Sequence, residues 1–422
     1  MESDTALLES SRAIRPAAAV EGALRYVARQ PILNLRGCVH GYELLFRNGL
    51  DAFFSGDGDL ATRTMLDNTV CFGLERLASG ALAFVNCTRE SLTEELVNIL
   101  PPSLTVLEIL EDVEPTPDLV KACRKLKNSG YRLALDDFSL KPGMEPLVEL
   151  ADYVKIDFKL SGPIERRWIL QQLEKSVVAL VAEKVETQEE YLEARKEGFT
   201  YFQGYYFCRP ILMENRKLPA NYRSQIQILK MLADEPLNLK RLSEAVKREA
   251  SLTYRVLRLI NSPVCAVRQE VRSVQAALIA VGEDTFRRLA TLAIACELNA
   301  GQPAELLRMA LVRGRFCELA ANSYSLDATE QYLLGLLSLL SAMLRVPMAQ
   351  LTPSLPLRNE IRRALEGAVV PAARLLRWLV NYENGDWTEC DRMARIEGLR
   401  QRELVVCYGE ALLWAEDSMK FS

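Results

Sequence analysis

Residues 117–158 read PDLVKACRKLKNSGYRLALDDFSLKPGMEPLVELADYVKIDF, and they set the grammar of the chain's first half. Pro117–Ser129 has the length and spacing of an amphipathic helix and stops at Asn128-Ser129-Gly130, a helix-ending sequence. An apolar run of strand length, Tyr131–Phe138, follows and carries Asp136 and Asp137 near its end. A second such run, Tyr153–Phe158, carries Lys155. Helices alternating with short apolar strands are the repeating unit of an α/β fold.

The same alternation extends in both directions. Leu24–Leu33, Val39–Phe46, Ala81–Asn86 and Leu104–Ile109 precede this stretch, with a helix expected at Thr64–Leu77; Val177–Ala182 and Tyr201–Phe207 follow it. Eight strands interleaved with helices over about 190 residues predict a closed barrel. After Pro219 the grammar changes. Ile226, Leu229 and Leu232, then Leu242 and Val246, then Val256, Leu257 and Ile260 recur at helical spacing, and no alternating strand appears. The fold class expected is an α/β TIM-like (β/α) barrel followed by an all-α helical domain. The boundaries expected are a flexible leader at 1–23, the barrel at 24–212, a linker at 213–222 and the helical domain at 223–422.

Composition narrows the functional classes. The 422 residues are 49% apolar and 26% charged, ample for two buried cores. No run is long and apolar enough for a membrane span, and the acidic N-terminus lacks a signal-peptide layout, so a cytoplasmic protein is expected. Net charge is −4, divided as −7 over residues 1–217 and +3 over 218–422; neither balance is a nucleic-acid footprint. Ten cysteines form no C-x-x-C pair and read as reduced, mostly buried thiols. A single histidine, His40, excludes chemistry that needs paired histidines.

The informative feature is the set of polar residues at the strand ends: Glu43, Asn86, Glu108, Asp136 with Asp137, Lys155, Glu186 just past the seventh strand, and Gln203. The C-terminal rim is where barrels of this kind place their chemistry. Any one of these residues reads as an ion-paired strand end, with Lys155 and Arg47 as partners; the whole set in register with a barrel does not. Several carboxylates brought to one small mouth cannot all stay ionised without cations. Oxygen donors with an amide and neither imidazole nor thiolate favour Mg²⁺, Mn²⁺ or Ca²⁺ over zinc. A two-cation centre suits phosphodiester hydrolysis.

These residues give the first half its resemblance to the EAL domain, the family of cyclic-di-GMP phosphodiesterases and their inactive receptor relatives. The matching segments are Glu43-Leu-Leu-Phe-Arg47, Phe84-Val-Asn86, Leu107-Glu108-Ile-Leu-Glu111, Leu135-Asp136-Asp137-Phe138, Val154-Lys155-Ile-Asp157, Ala182-Glu183-Lys-Val-Glu186-Thr187 and Phe202-Gln203-Gly204-Tyr205. The resemblance implies that Glu43, Asn86, Glu108 and Asp136 bind one Mg²⁺ or Mn²⁺ and that Asp137 and Glu186 serve a second. It further implies that Lys155 stands near the attacking water, that Gln203 supports the site, and that Arg47 contacts a phosphate of the dinucleotide. Two departures bear on activity. The Gly-Thr/Ser-Gly loop that follows Asp-Asp-Phe in active members is here Ser139-Leu140-Lys141-Pro142-Gly143, and Leu110 replaces a threonine; the change of Leu44 from alanine is minor.

The second half resembles the HDOD domain, a relative of histidine–aspartate phosphohydrolases. The resemblance rests on Ser251-Leu-Thr-Tyr-Arg255-Val-Leu-Arg-Leu-Ile-Asn261-Ser262-Pro263 and Arg272-Ser-Val-Gln-Ala-Ala-Leu-Ile-Ala-Val-Gly282. Gly335-Leu-Leu-Ser338-Leu339 stands where the wider superfamily carries its metal-binding His-Asp, which implies a catalytically silent domain that engages an unidentified protein. Asn261 reads as a helix stop whose side chain satisfies free backbone groups. The tandem resembles bacterial EAL–HDOD signal-transduction proteins. The expectation is a barrel that binds cyclic-di-GMP with weak or absent hydrolysis; an active Mg²⁺/Mn²⁺-dependent phosphodiesterase and a scaffold that binds no nucleotide stay open beside it, as does pairing into a homodimer.

Overall fold

The computed structural model describes residues 27–47, 73–208, 220–233, 238–262, 265, 267, 269–355 and 357–420. The leader expected at 1–23, most of the helix expected at 64–77, most of the 213–222 linker and Pro263 lie outside the described residues.

Eight strands close into one barrel: β1 Val27–Asn34, β2 Val39–Phe46, β3 Leu82–Cys87, β4 Thr105–Ile109, β5 Arg132–Leu135, β6 Tyr153–Asp157, β7 Ala179–Glu183 and β8 Tyr201–Gln203. From β2 to β8 neighbouring strands are parallel. The first strand departs from a uniform barrel, pairing antiparallel with both β2 and β8. The cause is local: Asn34 and Gly37 make a tight turn, with Gly37 at φ +73° and the Asn34 side chain accepting from the Arg36 and Cys38 amides. A turn this short returns the chain as a hairpin, whereas parallel strands need a longer crossover.

Helices Pro117–Asn128, Pro163–Leu173 and Gln188–Lys196 cover the parallel strands, each starting from a built N-terminus or an N-terminal proline. Thr187 and Glu190 make a reciprocal capping box. Inside the barrel Ile32, Phe84, Val106, Ala134, Tyr153 and Val181 form a packed apolar layer. His40 sits at the N-terminal end, stacked on Tyr201 at 4.1 Å with its Nε2 2.9 Å from the Tyr153 hydroxyl. Burial lowers its pKa. The one histidine therefore closes the end of the barrel opposite the carboxylates.

Among the described residues, every regular element from Ala220 onward is helical. Asn261 caps the helix Ala250–Ile260, and its side chain exchanges two hydrogen bonds with the backbone of Val271, as expected of a helix stop. In Gly335–Leu339 the Ser338 hydroxyl donates to the Gly335 carbonyl and Leu339 is buried. The nine cysteines among the described residues are free thiols.

The outer side of the β1–β2 hairpin is covered by this helical half. Arg29 lies 4.3 Å over the Tyr42 ring, and the Tyr42 hydroxyl donates to buried Glu305 at 2.7 Å. Glu416 accepts from Ser79 and Arg308 and lies 3.6 Å from Arg29, so one carboxylate joins both halves.

Close helix packing in the second half depends on glycine. A Cβ on Gly335 of the helix Ala328–Leu337 would lie 2.2 Å from the carbonyl oxygen of Arg313 on Ala304–Ala321. Backbone cannot yield as a flexible side chain can. Gly335→Ala is expected to destabilise the helical half by about 3 kcal/mol, read as a lower melting temperature and faster amide exchange in both helices, with barrel amides little changed.

Candidate functional site

Period-2 alternation decides which side chains enter the barrel. On β2 it turns Gly41, Glu43 and Leu45 inward and Tyr42 and Leu44 outward; on β6 it turns Tyr153 and Lys155 inward. Lys155 is fully buried, and four carboxylates converge on its ammonium: Glu108 at 2.6 Å, Asp136 at 2.7 Å, Glu183 at 2.9 Å and Glu43 at 3.4 Å. The Glu43 carboxylate also accepts from Asn86 Nδ2 at 3.1 Å and from Gln203 Nε2 at 2.5 Å, and Gln203 bonds Gln30 across β1 at 3.0 Å.

The structure thus brings Glu43, Asn86, Glu108, Asp136, Lys155 and Gln203 together. Asp137 stands beside them: at φ +40° its carboxylate turns toward Lys184, 3.7 Å away, and Lys184 also binds Asp157. Glu186 is placed elsewhere. Its side chain is about a third exposed, 3.5 Å from Lys159, and its amide is taken up by Glu190 at the start of the next helix. Glu183 occupies the interior instead. Sequence reasoning missed it by ending the seventh strand at Ala182, although Val181 inward implies Glu183 inward. Gln30 was missed as well; its signal is an amide in the middle of a largely apolar strand.

Charge is unbalanced in this cage. Burial pushes the Glu108 carboxyl well above its ordinary range; Lys155 opposes this, while Glu43 and Asp136 add to it. Glu183 is raised for the same reason, burial first, with Asp136 and Glu43 repelling. Lys155 is held charged: burial works against the ammonium, but Asp136, Glu108, Glu183 and Glu43 together outweigh it. Four carboxylates on one ammonium leave an excess of buried negative charge that asks for cations.

The donor set fits a hard divalent cation. Buried oxygens Asn86 Oδ1, Glu108 Oε2, Asp137 Oδ1, Glu183 Oε2 and Gln203 Oε1 accept no hydrogen bond, and buried acceptors rarely go without a partner. Among the described residues no three His, Cys, Asp or Glu side chains are already spaced around a metal-sized gap. The carboxylates are drawn onto Lys155 instead.

The segment that replaces the Gly-Thr-Gly loop has its own supports. Leu110, Leu140 and Met144 pack against the barrel core, and Lys141 Nζ donates to the Glu111 carbonyl at 2.7 Å. Arg47 lies at the rim, where its Nη2 meets both Asp391 carboxylate oxygens at 2.7 Å and its Nη1 donates to Gln401 at 3.2 Å.

Removing the ammonium should expose the imbalance. Lys155→Met is expected to cost the barrel about 3–5 kcal/mol, the usual penalty for leaving buried charges unpaired. Thermal melting monitored on barrel amides would read it, and an unchanged melt would show that the carboxyls are neutral without Lys155.

The family model for the EAL domain matches residues 82–210, and that for the HDOD domain matches residues 218–365. The chain is 34% identical over 405 residues to the uncharacterized protein YuxH of Bacillus subtilis, covering 93% of this chain and 98% of that one. It is 33% identical over 404 residues to the cyclic di-GMP phosphodiesterase CdgJ of Vibrio cholerae, covering 93% and 92% respectively. Among solved structures, an EAL domain protein from Listeria monocytogenes aligns with 44% of this chain and 87% of its own at 20% identity, TM-score 0.34.

Proposed function

The chain belongs to the EAL–HDOD tandem family of the cyclic-di-GMP network, and from that premise we propose that its barrel binds cyclic-di-GMP and hydrolyses it weakly or not at all. The observation that carries this reading is the ring of buried oxygen donors whose free acceptor atoms surround Lys155 at the C-terminal mouth. Such a ring suits divalent cations, and cations are what let a doubly anionic dinucleotide approach a carboxylate-lined mouth.

In this reading Glu43, Asn86, Glu108 and Asp136 hold one Mg²⁺ or Mn²⁺, and Asp137 with Glu183 serves a second, in place of the Glu186 expected from the sequence. The cations supply an activated water and charge neutralisation at the phosphodiester. Gln203 and Asn86 orient the Glu43 carboxylate. Lys155 holds the carboxylates to one centre and would stand beside a water brought there by the cations. The Arg47 guanidinium docks a phosphate, whose paired oxygens suit its fork.

Weak turnover follows from placement. Retained donors determine whether cation and dinucleotide bind, whereas rate depends on geometry held to tenths of an ångström. Here Asp137 faces Lys184, and the segment after it is pinned by apolar packing and Lys141 in place of small residues. A second reading, an active phosphodiesterase, draws on the near full-length similarity to CdgJ. The helical half engages a protein in either case, and the reading keeps the cytoplasmic placement expected from the sequence. Among the described residues no helix is long and apolar enough to cross a membrane.

Purified full-length protein titrated with cyclic-di-GMP and Mn²⁺ or Mg²⁺, with the linear product followed chromatographically, tests this. Metal-dependent binding is expected, lost in Glu43→Ala, with turnover well under the roughly 1 per second at the low end of ordinary enzymes. Turnover above that value selects the phosphodiesterase. Failure to bind under either metal leaves a scaffold.

A further inference from the structure

The inward row of β2 continues past Glu43 to Leu45 and then to Arg47, climbing out of the barrel. Leu45 pairs with Ala28 of β1, two residues above the Glu43–Gln30 pair, so Ala28 and Leu45 form the next layer of the mouth. That layer is covered by the helical half. Ala28 is fully buried in the helical core, and Leu45 packs against the same core.

The covering element is the helix pair Arg374–Glu383 and Trp387–Glu397 with the turn between them. Gly385 of this turn, at φ +71°, sits so close that a Cβ would lie 2.7 Å from Leu45 Cδ1. The Tyr382 hydroxyl donates to the Val27 carbonyl at 3.2 Å, fastening the turn to the first residue of β1. Beyond Leu45, Arg47 is held by Asp391, and Gln401 steadies that carboxylate with a 2.8 Å hydrogen bond from Nε2.

We propose that this helix pair is a gate on the barrel mouth, in which the Asp391 carboxylate occupies the Arg47 guanidinium and competes for it with a phosphodiester anion. The proposal rests on the reading of the barrel as a cyclic-di-GMP site. A carboxylate and a phosphodiester each offer two oxygens to a guanidinium, so one arginine cannot serve both at once. The mouth is rich in carboxylates, and an anionic dinucleotide entering it gains from a cation at the rim. Asp391 holds that cation while the gate is closed. The contact is reversible by construction: the Arg47 and Asp391 side chains are 25% and 35% exposed, and partly solvated pairs hold weakly. A partner or signal that pulled the 374–397 pair away would release Arg47 and uncover Leu45 and Ala28 together, so whatever the helical half binds can govern the barrel.

Calorimetric titration of full-length protein with cyclic-di-GMP and Mn²⁺ tests the gate. A closed fraction lowers apparent affinity in proportion, so Asp391→Ala is expected to bind about three- to tenfold tighter than the unmodified chain. Arg47→Ala should bind more weakly, and adding Asp391→Ala to it should then change nothing further. Asp391→Asn keeps the shape and removes the charge; it carries the test should Asp391→Ala fail to fold by circular dichroism. If the unmodified chain binds and releasing Asp391 leaves affinity equal or weaker, the gate is wrong while the cyclic-di-GMP reading stands. If no variant binds, that reading fails and the gate falls with it.

Discussion

The Lys155 ammonium, fully buried and within 3.4 Å of four carboxylates, is the interaction around which the barrel mouth is organised. Burying an ion costs several kcal/mol unless its partners are close and well placed. The strands supply those partners because alternation brings Glu43, Glu108 and Glu183 inward from three different strands, with Asp136 just beyond a fourth. One positive charge does not balance four negative ones. Burial first, and repulsion among the carboxylates after it, raises the pKa values of Glu108 and Glu183, and several acceptor oxygens stand without donors. That arrangement makes poor sense as a purely structural ion cluster, since a structural cluster would satisfy its lone pairs.

The same strand, β2, ties this cage to the helical half from both of its faces. Inward, Glu43 joins the carboxylates and Leu45 meets the Gly385 turn. Outward, Tyr42 reaches Glu305, whose carboxyl is raised by burial despite Arg29 and Arg308 nearby. The hairpin that makes β1 antiparallel is the reason. With no helix between β1 and β2, their outer side needs another cover, and the helical half provides it. A fold irregularity at the first strand thereby becomes the place where the two halves meet.

The chain's local code decided much by itself. Strand and helix periodicities made the eight-stranded barrel and the all-α half legible, because a two-residue alternation and a 3.6-residue one are distinguishable within a single segment. Glu43, Asn86, Glu108, Asp136, Lys155 and Gln203 were legible for a related reason: a polar side chain inside an apolar strand has few places to go but the mouth. The single histidine by itself excludes paired-histidine chemistry.

Tertiary structure decided what depends on one residue of register or on distance across the chain. Glu183 entered the cage and Glu186 left it because β7 runs one residue further than its apolar run suggests, and Glu186 is drawn into the turn that caps the next helix. The antiparallel first strand followed from a tight turn whose consequence is global, not local. Most of all, Arg47 and Asp391 are 344 residues apart in sequence. Electrostatic pairing acts through space, so no periodicity or spacing along the chain announces that the guanidinium at the barrel rim is held by a carboxylate from the helical half.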